Sequence, residues 1–164
     1  MEPGFFDQVR DAFEGFVAGL DGELHTYVHG RGLKVWYAAT PKEHYEAQLL
    51  RVDGDSRLEI GFHTEHSKPK DNDEVMQHLM ACEAAWRAEL GDEAEAAPFI
   101  GRDGWRRLSE LWEVPDQGEV DAAIEVAARL ADYVMTLEPI RASTSSNKAT
   151  AAGLLFDDEV SQAR

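Results

Sequence analysis

Cysteine is nearly absent: Cys82 stands alone among 164 residues, which excludes an intrachain disulfide and fits a reducing compartment. Basic residues are also scarce. Lys and Arg total 16 against 32 Asp and Glu, a net charge of −16. Nucleic-acid binding draws on Lys and Arg to neutralise phosphates, so this balance argues against a nucleic-acid partner and against an anionic membrane surface. Long apolar runs are missing too, none approaching the ~20 residues that span a bilayer. The start, Met1-Glu2-Pro3-Gly4-Phe5-Phe6-Asp7, lacks the basic n-region of a signal peptide. A soluble, cytoplasmic protein is the resulting expectation.

What is present suits one globular domain: 43% hydrophobic and 29% charged residues, in a chain long enough for one core and short for two. Helical spacing of Phe6, Val9, Phe13, Phe16, Val17 and Leu20 predicts an amphipathic helix over 5–20. Two hairpins follow. In the first, Leu24, Thr26 and Val28 alternate with His25, Tyr27 and His29, a turn at Arg31-Gly32 returns the chain, and Tyr27 is expected opposite Trp36. In the second, His44–Val52 and Arg57–Glu65 are joined by a four-residue turn, Asp53-Gly54-Asp55-Ser56. Asn72 reads as the N-cap of a second helix whose stripe is Val75, Leu79, Cys82, Trp86 and Leu90. Residues 92–97 read as an acidic connection, Phe99-Ile100 as a short strand, and 105–114 as a strand or a short helix, the flanking Gly and Pro favouring strand. A third helix runs from Asp116-Gln117-Gly118-Glu119 to about Leu137, ended by Pro139.

The expected fold is therefore α+β: a single domain over 1–140 in the order α-ββββ-α-β(β)-α, a curved, mostly antiparallel sheet with three helices on one face. A flexible polar tail is expected over 141–164, where periodicity is lacking.

The second hairpin carries the chemistry. Side chains two apart on a strand share a face. The four-residue turn pairs Leu49 with Ile60 and Ala47 with Phe62 on an apolar face. It places His44 opposite Glu65 and Glu46 opposite His63 on the other, near Gln48 and Glu59. If both hairpins share a sheet, His25, Tyr27, His29, Lys34 and Trp36 join that polar face. Three chemistries fit. His63 with Glu46 can act as an acid–base pair, the carboxylate fixing the imidazole tautomer. His44, His63, Glu46 and Glu65 can ligate a divalent metal such as Zn, Mn or Fe(II). Tyr27, Trp36, His25 and Gln48 can line a small-molecule pocket.

A solvated sheet face, decorated with cross-strand His–Glu pairs, is the plain alternative. A non-catalytic acidic module that occupies a basic protein partner is another. A homodimer joined through the Tyr27–Trp36 face is a third. His78 is expected to make a structural hydrogen bond, and Cys82 to be buried and inert.

Overall fold

A computed structural model describes the backbone of residues 3–37 and 41–160, with side chains to residue 143. Helix α1 (Phe5–Phe16) leads into β1 (His25–His29), β2 (Gly32–Trp36), β3 (Glu43–Val52) and β4 (Asp55–Thr64). Then come α2 (Pro69–Ala81), α3 (Glu83–Leu90), β5 (Glu95–Pro98), β6 (Arg106–Glu113) and α4 (Val120–Val160). All six strands lie in one antiparallel sheet, ordered β1-β2-β3-β4-β6-β5. The α+β class and the two hairpins in a common sheet are as expected, while the helices among the described residues number four rather than three. Among the described residues no helix is long and apolar enough to cross a membrane.

The extra helix arises at Cys82, where the stripe expected to be continuous is broken. The Leu79 carbonyl accepts both the Cys82 N–H, at 3.0 Å, and the Trp86 indole N–H, at 2.9 Å. Burying Trp86 completely turns the chain there. At the other end Pro139 does not stop α4 at Leu137, although proline removes one helical hydrogen bond. The next turn is tied down by tertiary contacts: His78 bonds the Ile140 carbonyl (3.1 Å), and Arg141 bonds Glu43 and Glu138. The segment expected as a tail from 141 is thus helical along its backbone to Val160. Side chains from 144, and residues 161–164, lie outside the described residues.

Both hairpins are tighter than expected. Val52 pairs with Asp55, leaving a two-residue turn of Asp53 (φ 50°) and Gly54 (φ 89°). Positive φ at both positions is the signature of the I′ turn that matches strand twist. Likewise His29 pairs with Gly32, so the turn is Gly30-Arg31 and Tyr27 faces Lys34, not Trp36. Ala47 pairs with Ile60 and Leu49 with Leu58. Each correction is a slip of two residues in the pairing, and a two-residue slip leaves every side chain on its original face.

One face therefore collects Leu33, Val35, Tyr45, Ala47, Leu58, Ile60, Phe62 and Leu108, all fully buried. Helices α1 and α4 pack on each other and on the sheet to cover it. The strands approach closely at Gly61, where an added Cβ would lie 2.4 Å from the Leu108 carbonyl oxygen and 2.5 Å from Ser109. Alanine at 61 has to push β6 away from β4. Gly61→Ala is expected to cost about 2–3 kcal/mol, in the range of overpacked cores. Urea unfolding checks it: a midpoint equal to that of the native protein would contradict the packing described.

Candidate metal centre on the polar face

The opposite face of the sheet, expected to be open, is closed over its centre. His44, Glu59, His63 and Ser109 have no exposed surface, and Glu46 and Arg107 are nearly as buried. Phe99 places its ring edge-on to His63 at 4.9 Å, and Trp105 backs it at 5.4 Å. The loop carrying both is fixed from behind by buried Asn72. Its amide bonds Thr64, the His66 N–H, the His66 carbonyl and the Gly104 carbonyl at 2.8–2.9 Å. Asn72 is therefore a buried bracket in the first turn of α2, not the expected N-cap.

The four residues read from the sequence as metal ligands converge. One side-chain donor from each of His44, Glu46, His63 and Glu65 lies within 4.8 Å of the other three. Their pairing differs from expectation. His44 pairs with His63 and Glu46 with Gly61, so each carboxylate reaches a histidine diagonally. His44 Nε2 is 3.2 Å from Glu46 Oε2 and 3.6 Å from Glu65 Oε1, and His63 Nδ1 is 3.3 Å from Glu46 Oε2. Donors about 2.0–2.2 Å from a tetrahedral ion are themselves roughly 3.3–3.6 Å apart. Two of the three spacings fall in this range and the third, at 3.2 Å, is just below it.

Proton inventory sharpens the picture. His44 Nδ1 is 2.7 Å from the Pro41 carbonyl, which can only accept, so Nδ1 carries the proton. In a neutral ring Nε2 is then a lone pair, and it faces Glu46 and Glu65. His63 repeats the arrangement: Nε2 lies 3.1 Å from Glu59 Oε1 and must donate to it, leaving Nδ1 toward Glu46. His63 Nδ1 is fully buried and makes no hydrogen bond there. Each imidazole thus stands between two groups that only accept, and a neutral ring is one proton short of satisfying both.

Electrostatics follows from this shortage. Burial opposes charge on His63, but Glu59 and Glu46 outweigh it and raise its pKa to about 10. Burial likewise works against the Glu59 carboxylate. His63, with hydrogen bonds from His63, Ser109 and Gln48, nonetheless brings its pKa down to about 2. Glu46 is also buried, yet the nearness of His44 and of the protonated His63 holds its pKa far below the ordinary carboxylate value. His44 moves the other way: burial lowers its pKa, with the Glu46 hydrogen bond only partly offsetting.

A second ring of residues orients the first. The Ser109 hydroxyl donates to Glu59 Oε1 at 2.7 Å, and Arg107 Nη1 donates to Ser109 Oγ at 2.9 Å. Gln48, expected as a ligand contact, instead donates to Glu59 Oε2 at 2.9 Å. His29 Nδ1 accepts the Arg31 N–H, so its Nε2 donates to Glu46 Oε1 at 2.9 Å. Ser109, Arg107 and Phe99 escaped sequence reasoning. Strand alternation put Arg107 and Ser109 on one face of β6, but nothing local showed that β6 lies beside β4.

Of the expected pocket wall, His25 stacks on Trp36 (5.3 Å) and Tyr27 on His29 (5.9 Å). These rings share the polar face and join the cluster through the His29–Glu46 bond. His66 does not belong to it, bonding Glu43 at 2.9 Å. No family model, curated protein or solved structure matches this chain.

Proposed function

We propose that the chain is a metal-dependent small-molecule-binding domain. His44 Nε2, His63 Nδ1 and one oxygen each from Glu46 and Glu65 would hold a first-row divalent cation. The observation that carries this reading is the convergence of four buried or nearly buried donors: two imidazoles turn one nitrogen each toward Glu46 and Glu65, with their far nitrogens held by Pro41 and Glu59 and His63 Nδ1 left without a hydrogen bond. A carboxylate or carbonyl accepting the far N–H of a ligating histidine is the usual support of a metal-bound imidazole. One divalent ion would supply the positive charge that two imidazole protons otherwise provide.

In this reading His63 becomes a ligand once the ion displaces its proton, whereas in the metal-free protein a pKa near 10 keeps that proton on the ring and leaves no general base. Metal uptake displaces that proton, so affinity rises with pH. The ion would act as a Lewis acid toward an oxygen or nitrogen of the bound molecule.

Metal content tests the proposal, on protein purified without chelators or an affinity tag and then offered Zn, Mn, Fe(II), Co or Ni. Close to one equivalent is expected in the native chain, with none retained by His44→Ala or His63→Ala. Native protein that takes up none of the five ions would overturn it.

A further inference from the structure

Among the described residues, exposure around the cluster is uneven. Toward β6 the cluster is shut by Phe99 against His63, whereas toward the sheet edge exposure rises strand by strand. On β3, His44 and Glu46 are buried. On β2, Lys34 and Trp36 are half-buried, and on edge strand β1 Tyr27 is 59% exposed. Among the described strands, the first hairpin is therefore the exposed flank of the cluster.

That hairpin has a specific chemistry. Tyr27, Lys34 and Glu46 form one cross-strand row, since Tyr27 pairs with Lys34 and Lys34 with Glu46. The row starts at an exposed ring and ends at a carboxylate of the cluster. Trp36 stands two residues along β2 from Lys34 on the same face, backed by His25, while His29 backs Tyr27. Aromatic rings held by neighbours are ready-made stacking surfaces for a planar ligand. Lys34 is the one lysine of the row, and its nearest anion, Glu65 Oε2, is a loose 3.8 Å away. Once Glu65 turns its charge to a metal, the ammonium is left to face an incoming anion.

We infer that the β1–β2 hairpin is the substrate subsite of this centre and that it takes a planar aromatic carboxylate. The ring lies against Trp36 and Tyr27, and the carboxylate sits between Lys34 and the ion. The inference rests on the metal reading, because the carboxylate is placed by both charges. An aliphatic acid lacks the stacking contribution and an aromatic alcohol lacks the anionic one.

Fluorine NMR of 4-fluorobenzoate with zinc-loaded protein is the test, with trifluoroacetate and 4-fluorobenzyl alcohol as comparison probes and zinc content measured on every sample. The acid is expected to bind at least about tenfold more tightly than either comparison probe, the size of one aromatic contact or one desolvated ion pair. Tyr27→Ala and Trp36→Ala should each weaken it about tenfold without loss of zinc, and Lys34→Gln should abolish the preference for acid over alcohol. Zinc-loaded protein that ignores 4-fluorobenzoate, or binds it equally in all three variants, overturns the subsite and leaves the metal centre standing. Acid binding that is as tight without zinc as with it overturns the placement of the carboxylate at the ion, and protein that takes up no zinc overturns the metal centre beneath it.

Discussion

Replacing Glu59 with leucine should lower the unfolding free energy by about 3–5 kcal/mol, the cost of leaving one partner of a buried ion pair uncompensated. Glu59 is fully buried and accepts from His63, Ser109 and Gln48. Leucine removes all three hydrogen bonds at once, leaving the His63 N–H without a partner in a dry interior. For a domain of this size the loss amounts to roughly 10 °C in Tm. Glu59→Gln separates shape from charge: its carbonyl still accepts from His63 and Ser109, so most of the packing survives. The lost charge weakens His63 as a donor to a metal, and affinity should fall about 10–100-fold, as when an outer partner of a ligand is altered. Thermal unfolding and a metal titration on the two variants check both statements. A leucine variant as stable as the native chain would mean that Glu59 is not the anchor of the cluster.

The second large effect is on pH dependence of the metal-free protein. His63 has a folded pKa near 10, above the unfolded value of about 6.5. Its contribution is therefore complete below pH 6.5 and drains away as pH rises toward 10. His44 has the opposite sign. Its folded pKa is depressed by burial, so below pH 6.5 the unfolded chain takes up a proton that the folded one resists, and stability declines. Glu46 and Glu59 are depressed as well. Their contribution is present above the unfolded carboxylate value of about 4.3 and disappears as pH falls further. The stability maximum should thus lie near pH 6–7, with several kcal/mol lost by pH 10, on the scale of 1.4 kcal/mol per pKa unit. Saturating metal replaces the His63 proton and should flatten the alkaline limb. Chemical denaturation from pH 5 to 10, with and without zinc, checks this. An apo protein equally stable at pH 7 and 10 would contradict a buried imidazolium.

The sequence located the candidate site more accurately than it paired the strands, and the period of a strand explains why. Alternation alone assigns His44, Glu46, His63 and Glu65 to one face, and that assignment survives any slip by an even number of residues. The turn sets the partners, and the two-residue Asp53-Gly54 turn moves every pair by two. His44 therefore meets His63 across the ladder rather than Glu65, yet all four donors still converge. What was not legible depends on long-range packing. The break at Cys82 follows from the pull of Trp86 into the core, and the passage through Pro139 from the anchoring of Arg141 on Glu43, 98 residues away. Strand β5 is built from Glu95-Ala96-Ala97-Pro98, whose composition favours no strand and whose pairing is supplied by β6. The closure of the polar face by Phe99 depends likewise on the Asn72–Gly104 bond, between residues 32 apart.

Whether a cation sits between His44 Nε2 and His63 Nδ1 is decided by anomalous diffraction at the zinc edge from zinc-soaked crystals. One strong peak is expected about 2.0–2.2 Å from both nitrogens and from an oxygen each of Glu46 and Glu65, with the Pro41 and Glu59 contacts retained. Density with no anomalous peak at the cluster, and His63 Nδ1 drawn into a hydrogen bond with Glu46, would show a self-contained buried ion pair and contradict the metal centre.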